Sequence, residues 1–321
     1  MSDPAAYRQA VEHINPLPLF LSPWWLDATC GPDGWGAAIV GDPMNPAGVL
    51  PYRVARRFGL RILGQPPLTQ FLGPWLAPRI RSLGIGSSEA KEVLDELINL
   101  LPSHDYYAQN WSPVMQDWLP FYWRGFEQST RYTYQIAGSR TEKDCWSRCK
   151  SSIKREVKKA AGRYALKVTE TGSLDDFLRL NELTFTRQGK RPPYSASYVR
   201  GIDAACAERA SRTIIIATDP SGQHHAGAYI VHDGLTAYYL MGGSDPNLRT
   251  SGASSLCLWH AVTLSRRLGV AFDFEGSMMK PVERFFRSFG GDATPFFHVS
   301  RARSKFAIAM HLMRRLRSTH Q

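Results

Sequence analysis

Several familiar protein classes are excluded by what this sequence lacks. Five cysteines stand among 321 residues, an odd and scattered set. That excludes the disulfide framework of a small secreted domain and favours a reducing cytoplasm. No apolar run approaches the roughly 18 residues a membrane-spanning helix needs. The opening MSDPAAYRQAVEHINP has neither the basic nor the apolar region of a signal peptide. A soluble, cytoplasmic protein with no transmembrane segment is therefore expected. Internal repeats and low-complexity tracts are missing too. With 43% hydrophobic and 21% charged residues, the chain has the balance of a globular protein rather than a disordered, collagenous or coiled-coil one.

Acidic side chains are also in short supply, 28 against 39 Lys and Arg, giving a net charge of +11. The shortage is local. Residues 1–130 carry 9 basic and 12 acidic side chains, whereas residues 131–321 carry 30 and 16. Length and the change of composition predict two domains, 1–130 and 131–321. A basic surface attracts tRNA and phosphorylated small molecules alike, so charge leaves both open; it gives no reason to expect duplex DNA as a partner.

Proline, glycine and tryptophan dominate the first 80 residues, which read as short strands (35–40, 48–54, 60–63) and a rigid loop over 65–74. Ser87 and Ser88 are candidate caps for a helix carrying Val93, Leu94, Leu97, Ile98 and Leu101 and ended by Pro102. Beyond residue 130 the pattern predicts a strand at 131–137, one basic helix at 142–162, a strand at 164–170 and helices at 173–187 and 196–208. Strands at 212–218, 226–232 and 237–243 follow, then a helix at 253–268, a strand at 271–275 and a last helix opened by Pro281 and closed by Gly290 and Gly291. This is an α+β order with one parallel crossover.

The most specific segment is Tyr238-Tyr239-Leu240-Met241-Gly242-Gly243-Ser244, followed by Arg249-Thr250-Ser251-Gly252-Ala253-Ser254 and an apolar helix. A strand that feeds a small-residue turn into a helix N-terminus gathers unpaired backbone N–H groups, and the helix dipole adds about 0.3 to 1 kcal/mol for an anion there. Gly252 permits close approach and Arg249 adds a charged contact.

Here the chain resembles the GNAT acyltransferase superfamily, whose pyrophosphate loop reads Q/R-x-x-G-x-G/A between a strand and a helix. Residues 249–254 match it, with Ser254 in place of Gly or Ala. The basic helix around Lys150–Ala160, the strand end Asp273-Phe274-Glu275-Gly276-Ser277 and the run Phe285–Gly291 extend the resemblance toward the FemAB-like branch, which carries two GNAT-like domains in tandem. The resemblance implies mixed, mostly antiparallel sheets flanked by helices, with an N-terminal GNAT-like domain at 1–130 and the acyltransferase domain at 131–321. It implies transfer of an acyl group to an amine, with acyl-CoA (acetyl-CoA) as donor and no metal. Arg249, Thr250, Ser251, Gly252, Ala253 and Ser254 would hold the pyrophosphate. Backbone groups of Leu240, Met241 and Gly242 would polarise the acyl carbonyl.

One position departs from the pattern. Many GNAT enzymes place an acid-donating Tyr four residues before the Gly that ends the last helix; this chain has Phe286 there, followed by Arg287. Tyr239 or Ser277 would have to serve, or the leaving group departs without a side-chain acid. For the general base, Glu275 and Asp273 are the candidates, placed on one side of their strand by alternation; paired carboxylates raise one pKa, which suits an amine acceptor. Arg187, Lys190 and Arg191 lie in a loop that resembles the acceptor-side loop of FemAB-like proteins, and with Arg287 they are candidate contacts for an anionic substrate.

Other features read more plainly. Cys145 and Cys149 stand four apart on a predicted helix face, but no second ligand pair accompanies them. His224 and His225 fall in a predicted hairpin turn, and His260 reads as a hydrogen-bonded core residue. Trp118, Phe121, Tyr122, Trp123 and Phe126 could stack a nucleobase but read rather as packing the two domains together. The stretch 305–317 is a candidate basic amphipathic helix, suited to docking on the core or to peripheral contact with an anionic membrane. Three functions stay open: an N-acyltransferase acting on an amine of a cell-envelope or polysaccharide precursor, an aminoacyl-tRNA-dependent enzyme extending a peptidoglycan peptide, and a GNAT-like ligand-binding protein without turnover.

Overall fold

A computed structural model describes residues 4–303, so the candidate basic helix at 305–317 lies outside the described residues. The elements are α1 (Pro4–Val11), α2 (Pro23–Cys30), β1 (Trp35–Asp42), β2 (Asn45–Arg57), β3 (Leu60–Gly64), β4 (Trp75–Leu76), α3 (Pro78–Arg81), α4 (Ser88–Asn99), β5 (Tyr106–Asn110) and α5 (Leu119–Trp123). They continue with β6 (Glu127–Ile136), α6 (Glu142–Arg148), α7 (Ser151–Gly162), β7 (Lys167–Thr169), α8 (Leu174–Thr186), α9 (Ala196–Ala207), β8 (Arg212–Thr218) and β9 (His224–His232). The last are β10 (Thr236–Ser244), α10 (Ala253–Arg267), β11 (Ala271–Asp273), α11 (Lys280–Arg287) and β12 (Asp292–Ala302). Two compact units result. One comprises the chain up to Arg131 together with the segment from Pro295 onward, and the other runs from Tyr132 to Thr294.

In the first unit β1, β2 and β3 form an antiparallel meander, β5 joins β3 in parallel, and β12 pairs with β5 antiparallel. The β3–α4–β5 connection is a crossover, and α4 earns its place by its apolar stripe. Ser87 caps it by accepting from the Ala90 N–H, while Val93, Leu94, Leu97 and Ile98 are buried beside Leu50, Leu63 and Tyr107. Each such side chain contributes roughly 1.5 to 3 kcal/mol by leaving water. Because β12 pairs with β5, the described residues from Pro295 onward belong to the first unit rather than to the second. Helices α1 and α2 occupy a region whose composition suggests only strands and turns. Their signal is proline in the first turn, Pro4 and Pro23, where a missing N–H costs nothing.

The second unit orders its strands β6-β11-β10-β9-β8-β7. Neighbours are antiparallel except β10 and β11, which are joined by the α10 crossover. Alternation along β9 sorts the two faces. Ala226, Ala228 and Ile230 belong to the cluster that includes Cys257, Leu258, Ala261 and Val262 of α10 and Ile153, Val157 and Ala160 of α7. On the other face Tyr229 meets Phe177 of α8. Ser173 caps α8 by accepting from the Asp176 N–H, and Asp175 and Asp176 favour its positive end.

Two local expectations fail for tertiary reasons. The single helix expected over 142–162 is broken at Cys149 and Lys150, both extended, because the Lys150 N–H bonds to the carbonyl of Ser288 at 2.9 Å. Cys149 thus sits past the end of α6 rather than on its face, its thiol bonding to the carbonyls of Cys145 and Phe289. The strand expected over 271–275 ends at Asp273, so strand alternation does not place Glu275.

Candidate functional site

The parallel pairing of β10 with β11 covers only three positions, Thr236–Ala271 to Tyr238–Asp273. Beyond it the register of β10 against β9 shifts between Tyr239 and Met241, leaving Leu240 as an extra residue in a β-bulge. The bulge resets the alternation, so Tyr239 and Gly242 share a face. The Tyr239 hydroxyl lies so close over Gly242 that a Cβ there would stand 1.7 Å from it. Gly243 points the other way and lets α8 approach: a Cβ on it would meet the Asn181 nitrogen at 2.4 Å.

Helix α8 ties down the strand edge that β11 leaves. The Asn181 amide donates to the carbonyl of Gly242 at 2.7 Å, and the Tyr194 hydroxyl donates to Asn181 Oδ1 at 3.2 Å. One turn on, the Thr184 hydroxyl accepts from the Ser244 N–H at 2.9 Å. The N–H and C=O of one strand residue point to the same edge, so the Gly242 N–H is aimed to the side where β11 has departed. Asn181, Thr184 and Tyr194 were missed by the sequence reading. The available signal was a polar pair on the same helix as the buried Phe177 and Leu180.

Past β10, residues 249–251 form one 3-10 turn and Gly252 begins α10. Gly252 has φ +84°, and a Cβ on it would lie 2.4 Å from the Glu156 carbonyl oxygen of α7. No other residue fits this junction without displacing a helix backbone. Ser251, Gly252 and Ala253 are buried; Arg249, Thr250 and Ser254 are exposed. The first amides of α10 lack in-helix acceptors, apart from the Ala253 N–H, which bonds to Ser251 Oγ at 3.3 Å. The Glu156 carboxylate stands at this mouth, ion-paired to Lys159. On the same helix Ser151, Lys154, Arg155, Lys158, Lys159 and Arg163 line a basic cleft of about 580 Å³.

Asp273 is fully buried and accepts from the Thr133 hydroxyl at 2.5 Å, the Gln135 amide at 2.8 Å and the Glu275 N–H at 2.7 Å. Burial pushes its carboxyl up to about 6 against those three bonds. It braces the turn that follows, in which Glu275 and Gly276 both take positive φ, +57° and +54°. The expectation that the two carboxylates lie side by side on a strand is thus replaced by one carboxylate holding the backbone of the other. Although Glu275 as a residue is only half-buried, its Oε1 is shut off from solvent. That burial, with the Asp273 charge added, lifts its carboxyl well above the ordinary range.

Phe286 packs its ring against Tyr239, centroids 5.7 Å apart and nearly perpendicular. Among the described residues no acceptor bonds to the Tyr239 hydroxyl, and burial holds the phenol far above its ordinary pKa. Ser277 instead accepts from the Met279 N–H, bracing a turn. Arg287 is engaged by Glu283 at 2.8 Å, while Arg187, Lys190 and Arg191 are exposed in the α8–α9 loop and form no ion pair with a described residue. His225 is buried, 3.2 Å from Asp219, rather than exposed in a turn as expected; His260 bonds to Glu170 at 2.6 Å. Trp118, Phe121 and Phe126 pack in the first unit's core, whereas Tyr122 and Trp123 are exposed. No cluster of His, Cys, Asp and Glu suited to a metal occurs among the described residues, nor does any helix long and apolar enough to cross a membrane.

A bulged strand parting from its parallel neighbour above a glycine-led helix invites comparison with known folds. A family model described as "Acetyltransferase (GNAT) domain" matches residues 147–316. The chain belongs to the GNAT family. It is an acyltransferase of α+β fold, with mixed, mostly antiparallel sheets. No curated protein sequence matches this GNAT chain. In fold it is similar to FemX, with a TM-score of 0.67 at 14% identity over 92% of this chain and 96% of that one. It is also similar to the C-terminal domain of a putative lysylphosphatidylglycerol synthetase from Agrobacterium fabrum, with a TM-score of 0.56 at 10% identity, covering 96% and 95%. A tandem GNAT protein from the clavulanic acid biosynthesis pathway gives 0.50 at 11%, covering 94% of each. These likenesses are of fold, and they run over nearly the whole chain, in keeping with a tandem GNAT-like architecture.

Proposed function

We propose that the protein transfers an acyl group from acyl-CoA to an amine, acting on a cell-envelope or polysaccharide precursor. The observation that carries this reading is the Leu240 bulge at the point where β10 and β11 part. There the Gly242 N–H, on the edge that β11 leaves, would be a donor for the carbonyl oxygen of an acyl thioester as charge builds on it. Gly252 and the amides of α10 suit the pyrophosphate of the donor, with Arg249 adjacent.

Glu275, whose raised pKa suits proton removal from an ammonium, acts as the base, and Asp273 positions it. The amine then attacks the thioester carbonyl. The Tyr239 hydroxyl supplies the proton that Phe286 cannot give to the departing thiolate. The acceptor lies toward the cleft of about 440 Å³ between α8 and α9, where Glu182, Arg179 and the Asp175–Arg200 ion pair bring both signs of charge to an amine that also bears an acid. Arg187, Lys190 and Arg191 extend that surface. Titration calorimetry with acetyl-CoA and CoA tests the donor; no heat and no thermal stabilisation at millimolar ligand sink it.

The basic cleft on α7 favours a second reading, transfer from aminoacyl-tRNA. Its cations suit a nucleic-acid backbone, and Glu156 at the mouth of the loop opposes a compact pyrophosphate. Filter binding with charged tRNA over a salt series discriminates: this reading requires micromolar affinity and a steep loss with salt.

A further inference from the structure

Within the first unit, one end of the sheet gathers arginines. The β2–β3 hairpin turns at Phe58 and Gly59, and its register sets Arg56 directly opposite Arg61. Like charges in that relation repel. Parallel β5 begins beside Arg61, whose N–H donates to Asp105 Oδ2 at 2.8 Å. Antiparallel β12 ends at the same place: Arg301 pairs in register with Tyr107, and the Arg303 N–H donates to the Asp105 carbonyl at 2.8 Å. Arg56, Arg57, Arg61, Arg301 and Arg303 therefore share one end of the sheet, and none of them forms an ion pair with a described residue.

The positive field is felt nearby. His104 is held below its ordinary pKa by burial, with Arg303, Arg301 and Arg61 adding to the effect. At the hairpin tip Phe58 is 70% exposed, with the Arg57 guanidinium 5.1 Å over its ring. Its φ of +51° is one that a bulky residue rarely adopts. From this end the sequence continues through residues 304–321, which contain Lys305, Arg314, Arg315 and Arg317, six large apolar residues and no Asp or Glu. No acidic side chain from that stretch can neutralise the cluster.

We propose that this end of the sheet docks on an anionic phospholipid surface, with Phe58 entering the headgroup layer and the arginines meeting lipid phosphates. An exposed aromatic tip with Arg57 over its ring and further arginines at the same end of the sheet combines apolar insertion with charge attraction, the two contributions that peripheral binding needs. A nucleic acid would use the same cations and could stack a base on Phe58, so tRNA is the competitor that the test includes. The inference does not depend on the acyl donor.

The test is co-sedimentation of the full-length protein with phosphatidylcholine vesicles with and without phosphatidylglycerol, alongside competition by tRNA. Binding should require phosphatidylglycerol. It should fall roughly tenfold in Arg56→Glu/Arg57→Glu, as loss of surface cations predicts, and clearly in Phe58→Ser. These residues are exposed, so the variants should keep the wild-type melting temperature and transferase activity. No binding to anionic vesicles overturns the proposal. So does binding that both variants retain in full, or binding to tRNA in preference to the anionic vesicles through the same arginines, whether or not Phe58 contributes.

Discussion

The side-chain amide of Asn181 donates to the carbonyl of Gly242, 2.7 Å away, and so fixes the peptide that the acyl carbonyl would meet. Asn181 is buried and its own Oδ1 is occupied by Tyr194. Replacing it with Ala leaves a strand carbonyl unsatisfied, a cost of about 1 to 3 kcal/mol. Asn181→Ala should lower the melting temperature and reduce kcat about tenfold with little change in donor binding, since misplacing one oxyanion donor mainly affects the transition state. A stability loss with kcat unchanged would leave Asn181 a purely structural role.

The same tie requires Gly243. A methyl group there would lie 2.4 Å from the Asn181 backbone nitrogen, a contact that can be relieved only by moving α8 off the sheet. Gly243→Ala should destabilise the protein by about 1 to 3 kcal/mol, as overpacking does. Denaturant unfolding measures this directly. A midpoint equal to wild type would mean that α8 does not lie as close to β10 as the structure has it.

Glu275 should impose a pH dependence on both rate and stability. Its native pKa is raised, so the folded protein binds this proton more tightly than the unfolded chain does. The penalty for ionising it is absent below about pH 4, the range of an ordinary Glu, and grows as pH climbs from there toward the native pKa. Glu275→Gln removes the penalty, and the variant should gain melting temperature over wild type at pH 8 but not at pH 4. Meanwhile kcat/KM of the wild type should rise with pH through the native pKa, and the variant should lose that rise along with at least tenfold in turnover. A variant whose pH–rate profile matches wild type removes Glu275 as the base.

How far these features were legible in the sequence follows from which of them are local. The α10 crossover, the caps Ser87 and Ser173 and the Gly252 turn depend on neighbouring residues and are readable from residue type and spacing. The break between α6 and α7 is not, because it is made by a bond from Lys150 to Ser288, far along the chain. The Asp273–Glu275 turn misleads a reading by alternation for the same reason: its stability comes from Thr133 and Gln135 on β6. The β-bulge at Leu240 exists only relative to β9, so the sequence marks the strand without marking the register shift on which the proposed chemistry rests.

Tyr239 and Phe286 form a second pair open to test. Their rings are in contact, and only one bears a hydroxyl. Tyr239→Phe should lower kcat about tenfold or more while leaving KM for the donor nearly unchanged, because the lost proton transfer belongs to the transition state. The swap Tyr239→Phe/Phe286→Tyr returns one phenol to the same contact from the helix side, and partial recovery of kcat is expected. Full activity in Tyr239→Phe would show that the thiolate leaves without this acid.

Gly252 allows the proposed donor loop to be tested apart from the proposed chemistry. With φ +84° and the Glu156 carbonyl 2.4 Å from any added Cβ, Gly252→Ala must displace α10 from α7. Donor binding should be lost, read as disappearance of the thermal shift with CoA, together with a lower melting temperature. Glu156→Gln changes the same mouth without steric cost. The carboxylate is partly exposed and already paired with Lys159, so its removal should tighten a small anionic donor by only a few-fold, in line with the about 0.2 to 1 kcal/mol of exposed ion interactions. If CoA affinity rises in Glu156→Gln while tRNA affinity does not, the loop holds a pyrophosphate. If only tRNA responds, the cations of α7 rather than the amides of α10 bind the donor, and the acyl-CoA reading gives way to the aminoacyl one.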